Sequence, residues 1–202
     1  MLRMMKWSTL LVVAVTSLAC GVFVTTAYHA VVYAPSDEVA SSTLERRAPS
    51  DKVTASELPD RLNIPALDLD TWVLPVGVAI SGNMAVPPNY IDAGWYKYGT
   101  VPGQKGSAVI AGHVDNGLAL DGVFKQLNKL KLDDDIYIIT KEGTRLHFVV
   151  VGIESYPYTE VPTDLLFNRA DTARLNLITC DGGWIQGKKT YDRRLVIYTK
   201  LV

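Results

Sequence analysis

Hydrophobic and polar residues divide the chain into three stretches of different texture. From Trp7 to Tyr33 no Asp, Glu, Lys or Arg occurs, and these 27 residues are rich in Val, Leu, Ala and Thr. At about 1.5 Å rise per residue, such a run crosses a hydrocarbon core of about 30 Å with some tilt. From Pro35 to Asp60 polar residues and prolines take over, as in Ser41-Ser42-Thr43 and Glu45-Arg46-Arg47-Ala48-Pro49-Ser50. Few large apolar side chains are available to pack there, so the stretch predicts a flexible, exposed stalk. From Arg61 onward the pattern turns short and β-like.

In this third stretch Leu62-Asn63-Ile64 and Leu67-Asp68-Leu69 alternate apolar with polar around Pro65. Ser107 to Ala111 is an apolar run between two glycines. Ile136 to Thr140 and Arg145 to Gly152 flank Lys141-Glu142-Gly143-Thr144, a hairpin signal. Leu175 to Thr179 alternates, and Leu195 to Val202 is β-branched and apolar. Helical signals are few. Val123, Phe124, Leu127 and Leu130 suit a short amphipathic helix, and Pro162 to Phe167 suits one turn with proline near its start. Many short strands with turn residues between them predict a mainly β fold closed into a barrel. The domain plan is therefore 1–34, cytoplasmic N-terminus and transmembrane anchor; 35–60, stalk; 61–202, a single β-barrel domain.

Charge orients the anchor. Arg3 and Lys6 precede the apolar run, so the positive-inside rule sets the N-terminus in the cytoplasm and the rest outside. The run is longer than the 7–15 apolar residues of a secretory signal peptide, which favours an uncleaved anchor. Ser17-Leu18-Ala19-Cys20 faintly resembles a bacterial lipoprotein box, but Ser17 stands where that box has Leu. Cys20 reads better as a small apolar residue of a membrane helix. The chain of 202 residues carries 20 Lys+Arg against 21 Asp+Glu. That balance gives no electrostatic footprint for nucleic acid. Two cysteines exclude a disulfide-stapled miniprotein and a four-cysteine zinc site.

The second cysteine carries the chemistry. With Cys20 in the membrane segment, Cys180 has no intramolecular disulfide partner, which leaves an intermolecular link, a reactive thiol or a buried inert side chain. Cys180 follows an apolar strand and precedes Asp181-Gly182-Gly183, so it belongs at a strand end. A free thiol has a pKa of about 8.5 and needs a base nearby. His29 lies in or beside the anchor, and His147 lies within a strand pattern. His113 follows Val109-Ile110-Ala111-Gly112 at another strand end and is the best-placed partner. Arg193-Arg194 opens the last strand and reads, on position alone, as solvated surface charge, or else as guanidinium donors for an oxyanion. Asp133-Asp134-Asp135 reads as a polar turn. No metal and no cofactor are expected.

Together these residues resemble the sortase signature. Ala111-Gly112-His113, Leu175-Asn176-Leu177-Ile178-Thr179-Cys180 and Arg194-Leu195-Val196-Ile197 occur in the family's order. Arg61-Leu62-Asn63-Ile64-Pro65, Gly94-Trp95-Tyr96 and Gly112-His113-Val114-Asp115 add to the resemblance, which covers Arg61 to Val202 and is closest to the single-domain class E/F group. The resemblance implies an eight-stranded sortase-like β-barrel with short helices, preceded by one transmembrane helix. It implies a membrane-anchored cysteine transpeptidase acting on surface proteins with a C-terminal Leu-Pro-x-Thr-Gly-like sorting signal. In that family's terms Cys180 is the nucleophile, His113 the general acid and Arg194 the substrate or oxyanion donor, while Thr179 is carried over as substrate-binding. The amine acceptor would sit on a peptidoglycan precursor or a pilin. A secreted cysteine hydrolase shares Cys and His, and a membrane-tethered binding domain needs neither.

Overall fold

The computed structural model describes residues 54–116, 118 and 120–202. The expected anchor, Cys20 and most of the expected stalk lie outside the described residues. Among the described residues no helix is long and apolar enough to cross a membrane.

Eight strands form: β1 (Pro59–Ile64), β2 (Leu69–Val76), β3 (Ala93–Tyr96), β4 (Gly106–Ala111), β5 (Asp135–Thr140), β6 (Arg145–Pro157), β7 (Ala173–Ile185) and β8 (Thr190–Leu201). They close into a barrel in the order β1-β2-β3-β4-β7-β8-β6-β5, with β1 pairing to both β2 and β5. Closure pairs what would otherwise be two unpaired sheet edges. The β2–β3 and β4–β7 pairs are parallel. A parallel pair needs a long crossover, and that requirement sends β5 and β6 to the other side of the barrel before β7 returns beside β4.

Alternation along the strands sorts the apolar residues into two layers. Leu62, Ile110, Ile138, Phe148, Leu177 and Ile197 belong to the larger cluster, which fills the barrel. Their strand neighbours Val109, Ala111, Ile178 and Val196 point the other way and build a second cluster with Met84, Tyr96, Val161 and Leu166. One short helix, α1 (Thr163–Phe167), helps roof this outer layer. Its Leu166 is fully buried, and the Leu166 carbonyl accepts a 2.7 Å bond from Asn176 Nδ2 on β7. Pro162 stands just before the helix, as the sequence predicts.

Two expectations need correction. The domain starts before Arg61: Ala55–Glu57 forms a 3-10 turn, Glu57 Oε2 accepts from the Thr54 N–H at 2.7 Å, and β1 opens at Pro59. Proline fits there because the first residue of a strand can do without a donor. The expected helix over Val123–Leu130 is instead a run of tight turns ending in a 3-10 turn, Leu127–Lys129. Its bonds span three residues: Lys125 N to Gly122 O, Leu127 N to Phe124 O and Leu130 N to Leu127 O. Phe124, Leu127 and Leu130, all buried, repeat every three residues, which is the 3-10 period rather than 3.6.

Candidate active site

Strands β4, β7 and β8 lie side by side, and the site grows from their register. In the parallel β4–β7 pair, Ala111 stands beside Ile178. Gly112 N–H then donates to the Ile178 carbonyl at 3.2 Å, and Thr179 Oγ1 donates to the Gly112 carbonyl at 2.8 Å. Continuing the register by two residues sets His113 level with Cys180. On the other flank, Cys180 stands directly opposite Arg194 in the antiparallel β7–β8 pair. Residues two apart share a face. His113, Cys180 and Arg194 therefore terminate the same rows that hold Ala111, Ile178 and Val196. The site sits at the end of the outer apolar layer, away from the barrel interior.

The three side chains are well covered, at 2% exposure for His113, 8% for Cys180 and 1% for Arg194. Among the described residues Cys180 forms no disulfide. His113 Nε2 lies 3.1 Å from the Pro87 carbonyl oxygen. Arg194 Nη1 donates to the carbonyls of Tyr191 and Arg193 at 3.0 and 2.9 Å, and Nη2 donates to Thr190 Oγ1 at 2.8 Å. Its guanidinium carbon lies 5.8 Å from the Tyr158 ring centroid. Arg194 Nε is buried with no hydrogen-bond partner among the described residues, and no ion pair there involves Arg194. A buried cation without a counter-charge is costly, and it suits a place where negative charge develops during a reaction.

Arg193 takes the opposite face. It stands across from Asp181 on β7 and Pro157 on β6. Its Nε donates to Ser155 Oγ at 2.9 Å and its Nη2 to the Ser155 carbonyl, while Ser155 Oγ donates to Asp181. Thr179, carried over as substrate-binding, bonds the main chain of the segment that leads to His113. Its side chain is buried, shares the parity of Leu175 and Leu177, and ties β7 to β4 through the Gly112 carbonyl. His147 pairs across strands with Tyr137, stacks on that ring and bonds Asp135 at 2.6 Å, well outside the site.

Two contacts carry no mark in the sequence pattern. One is the Pro87 carbonyl. The other is the hydrogen bond from the Tyr191 hydroxyl to Asp115 Oδ2, which links the β7–β8 hairpin to the loop that follows His113. Trp184 packs edge-on against Tyr191 with centroids 5.3 Å apart. Asp115 was visible as the last residue of the Gly-His-Val-Asp segment, but Tyr191 had no signal. The loop itself folds back tightly: Gly122 N–H bonds the Val114 carbonyl and Phe124 N–H bonds the His113 carbonyl. A Cβ at Gly122 would stand 2.7 Å from the His113 carbonyl carbon and 2.9 Å from the Asp115 nitrogen. Gly122→Ala is expected to cost about 1–3 kcal/mol through this backbone collision, visible as a lowered Tm in a thermal melt. An unchanged Tm would mean the loop has room that its hydrogen bonds do not suggest.

A thiol on β7, a guanidinium opposite it on β8 and an imidazole just past the end of β4 suit covalent acyl transfer. The thiol supplies a nucleophile, the imidazole a proton carrier and the guanidinium an oxyanion donor. Comparison with known proteins adds to this geometry. The family model described as Sortase domain matches residues 62–202. No curated protein matches the chain. Among solved structures it is similar to sortase A from Corynebacterium diphtheriae, at 22% identity over 72% of this chain and 60% of that one, with a TM-score of 0.55. A Clostridium perfringens sortase D5 transpeptidase matches at 20% identity over 71% of this chain and 78% of that one, TM-score 0.54. Sortase A from Listeria monocytogenes matches at 21% identity over 72% and 88%, TM-score 0.54. The chain spans about three fifths of the length of the corynebacterial protein. At these identities the likeness to the solved structures is one of fold.

Proposed function

The chain belongs to the sortase family, and on that premise we propose that it is a membrane-anchored cysteine transpeptidase working on the outer face of the cytoplasmic membrane. Its substrates are surface proteins with a C-terminal Leu-Pro-x-Thr-Gly-like sorting signal. Cys180 Sγ, as thiolate, attacks the Thr carbonyl carbon of that signal. Arg194 faces the oxyanion that forms. As the C–N bond breaks, His113 gives a proton to the leaving amine. A thioester remains on Cys180. An amine of a peptidoglycan precursor or a pilin then attacks it, His113 takes up the amine's proton, and the thiolate leaves.

The observation that supports this reading is the register of β4, β7 and β8, which pairs Cys180 with Arg194 and brings the end of β4, two residues before His113, beside Ile178. The Gly-His-Val-Asp and Gly-Trp-Tyr segments favour class E/F. The uncharged run from Trp7 to Tyr33 supports the anchor, with the N-terminus inside. Purified protein, a sorting peptide and triglycine test the reaction. The expected product is the peptide cleaved after Thr and joined to triglycine, seen by mass spectrometry. If water remains the only acceptor at every amine concentration, the protein is a cysteine hydrolase instead.

A further inference from the structure

One ring nitrogen of His113 is already committed. Nε2 lies 3.1 Å from the Pro87 carbonyl oxygen, in surroundings that leave the side chain 2% exposed. A carbonyl oxygen only accepts, so this bond exists only with a hydrogen on Nε2. A neutral imidazole held that way keeps its lone pair on Nδ1. We propose that Pro87 fixes His113 as the Nε2–H tautomer and assigns proton transfer in the site to Nδ1, with Gly94 as the positioning residue that seats Pro87. The inference deepens the proposed function, since it rests on His113 as the group that moves the proton.

Both ends of the bond are held. The His113 carbonyl accepts the Phe124 N–H at 2.9 Å, which fixes the backbone beneath the ring. At the other end, the Pro87 ring packs directly over Gly94. A Cβ there would stand 2.9 Å from Pro87 Cδ and 3.0 Å from Cγ, with Val76 Cγ1 also at 2.9 Å. Gly94 cannot retreat, because β3 is paired on both sides, to Leu74 of β2 and Ala111 of β4. Proline Cδ is bonded to its own backbone nitrogen. Pressure on it moves the main chain that presents the acceptor oxygen. The glycine of Gly-Trp-Tyr thus sets how near Pro87 approaches the wall, and Pro87 sets which nitrogen of His113 exchanges protons. A neutral carbonyl orients the ring without adding charge, unlike the carboxylate that orients the histidine of a serine protease.

Histidine tautomers are read directly by nitrogen NMR, without substrate. The full chain, labelled with nitrogen-15 at histidine and studied well above the imidazole titration range, is expected to show His113 protonated on Nε2. The variant His113→Gln identifies its signals among the three histidines. Gly94→Ala is expected to mix the two tautomers and lower kcat about tenfold with KM within about twofold, a partial loss of proton transfer. Adding Pro87→Ala and Val76→Ala keeps a carbonyl at position 87, removes the ring carbons and the valine Cγ1 that meet the new Cβ, and is expected to restore both readouts. A wild-type His113 protonated on Nδ1 overturns the proposal. So does a Gly94→Ala protein with tautomer and kcat unchanged. If Gly94→Ala does not fold, the wild-type spectrum decides alone. A protein with the expected spectrum but no peptide transfer overturns the proposed function instead and leaves the tautomer assigned.

Discussion

Cys180→Ala is expected to abolish cleavage of a sorting peptide and its transfer to triglycine, a loss of about 10⁴-fold or more in kcat, as for other nucleophile removals. The fold should survive. Cys180 is small, lies within β7 rather than at the strand end its sequence predicts, since the strand runs on to Ile185, and its neighbours on β7 and β8 are held by backbone pairing that alanine keeps. The thermal midpoint should move by only a few degrees. Intact-mass spectrometry supplies the positive half of the test. With peptide and no amine, the wild-type protein should gain the mass of the acylating fragment, and the variant should gain none. Activity retained in Cys180→Ala would move the nucleophile elsewhere. No turnover in either protein would leave a membrane-tethered binding domain as the standing alternative.

The second large effect separates two adjacent arginines. Arg194→Ala is expected to lower kcat by about 10²–10³-fold, the usual cost of removing an oxyanion donor. Arg193→Ala should leave kcat within about threefold, because its guanidinium is engaged with Ser155 on the far face. Stability must be followed alongside. Arg194→Ala also strips partners from the Tyr191 and Arg193 carbonyls and the Thr190 hydroxyl, at about 1–3 kcal/mol if they stay buried. Rates are therefore compared at temperatures where both variants remain folded by circular dichroism. The reverse ranking would place the wrong arginine in the site and shift the β7–β8 register by one residue.

The legible strands carry one of two hydrophobic patterns. β1, β5 and the inner half of β6 alternate, while β4 and the inner halves of β7 and β8, buried on both faces, read as short apolar runs. β3 is also buried throughout, but its four residues Ala93, Gly94, Trp95 and Tyr96 are too few for either pattern. The outer halves of β7 and β8, near Gly183 and Asp192, extend past the core as a largely exposed ribbon that hydrophobicity cannot trace. The turns at Phe124–Leu130 misread as a helix because repeats of three and of 3.6 diverge little over eight residues. At the candidate site, Cys180, His113 and Arg194 can be singled out in the sequence because each proposed role needs a particular side chain. Pro87 was invisible for a deeper reason: it acts through a carbonyl, which every residue possesses.

The strand order also constrains how this molecule is made. β8, the last strand in chain order, sits between β7 and β6 and carries Arg194. A polypeptide leaves the ribosome N-terminus first. Until its final dozen barrel residues emerge, β6 and β7 each expose an unpaired edge, the barrel stays open, and the thiol has no guanidinium opposite. Nascent chains are thus both catalytically silent and adhesive. Biogenesis must shield two sheet edges to the end, and a ribosome that stalls before Thr190 leaves a product that can stick to its neighbours but cannot process them.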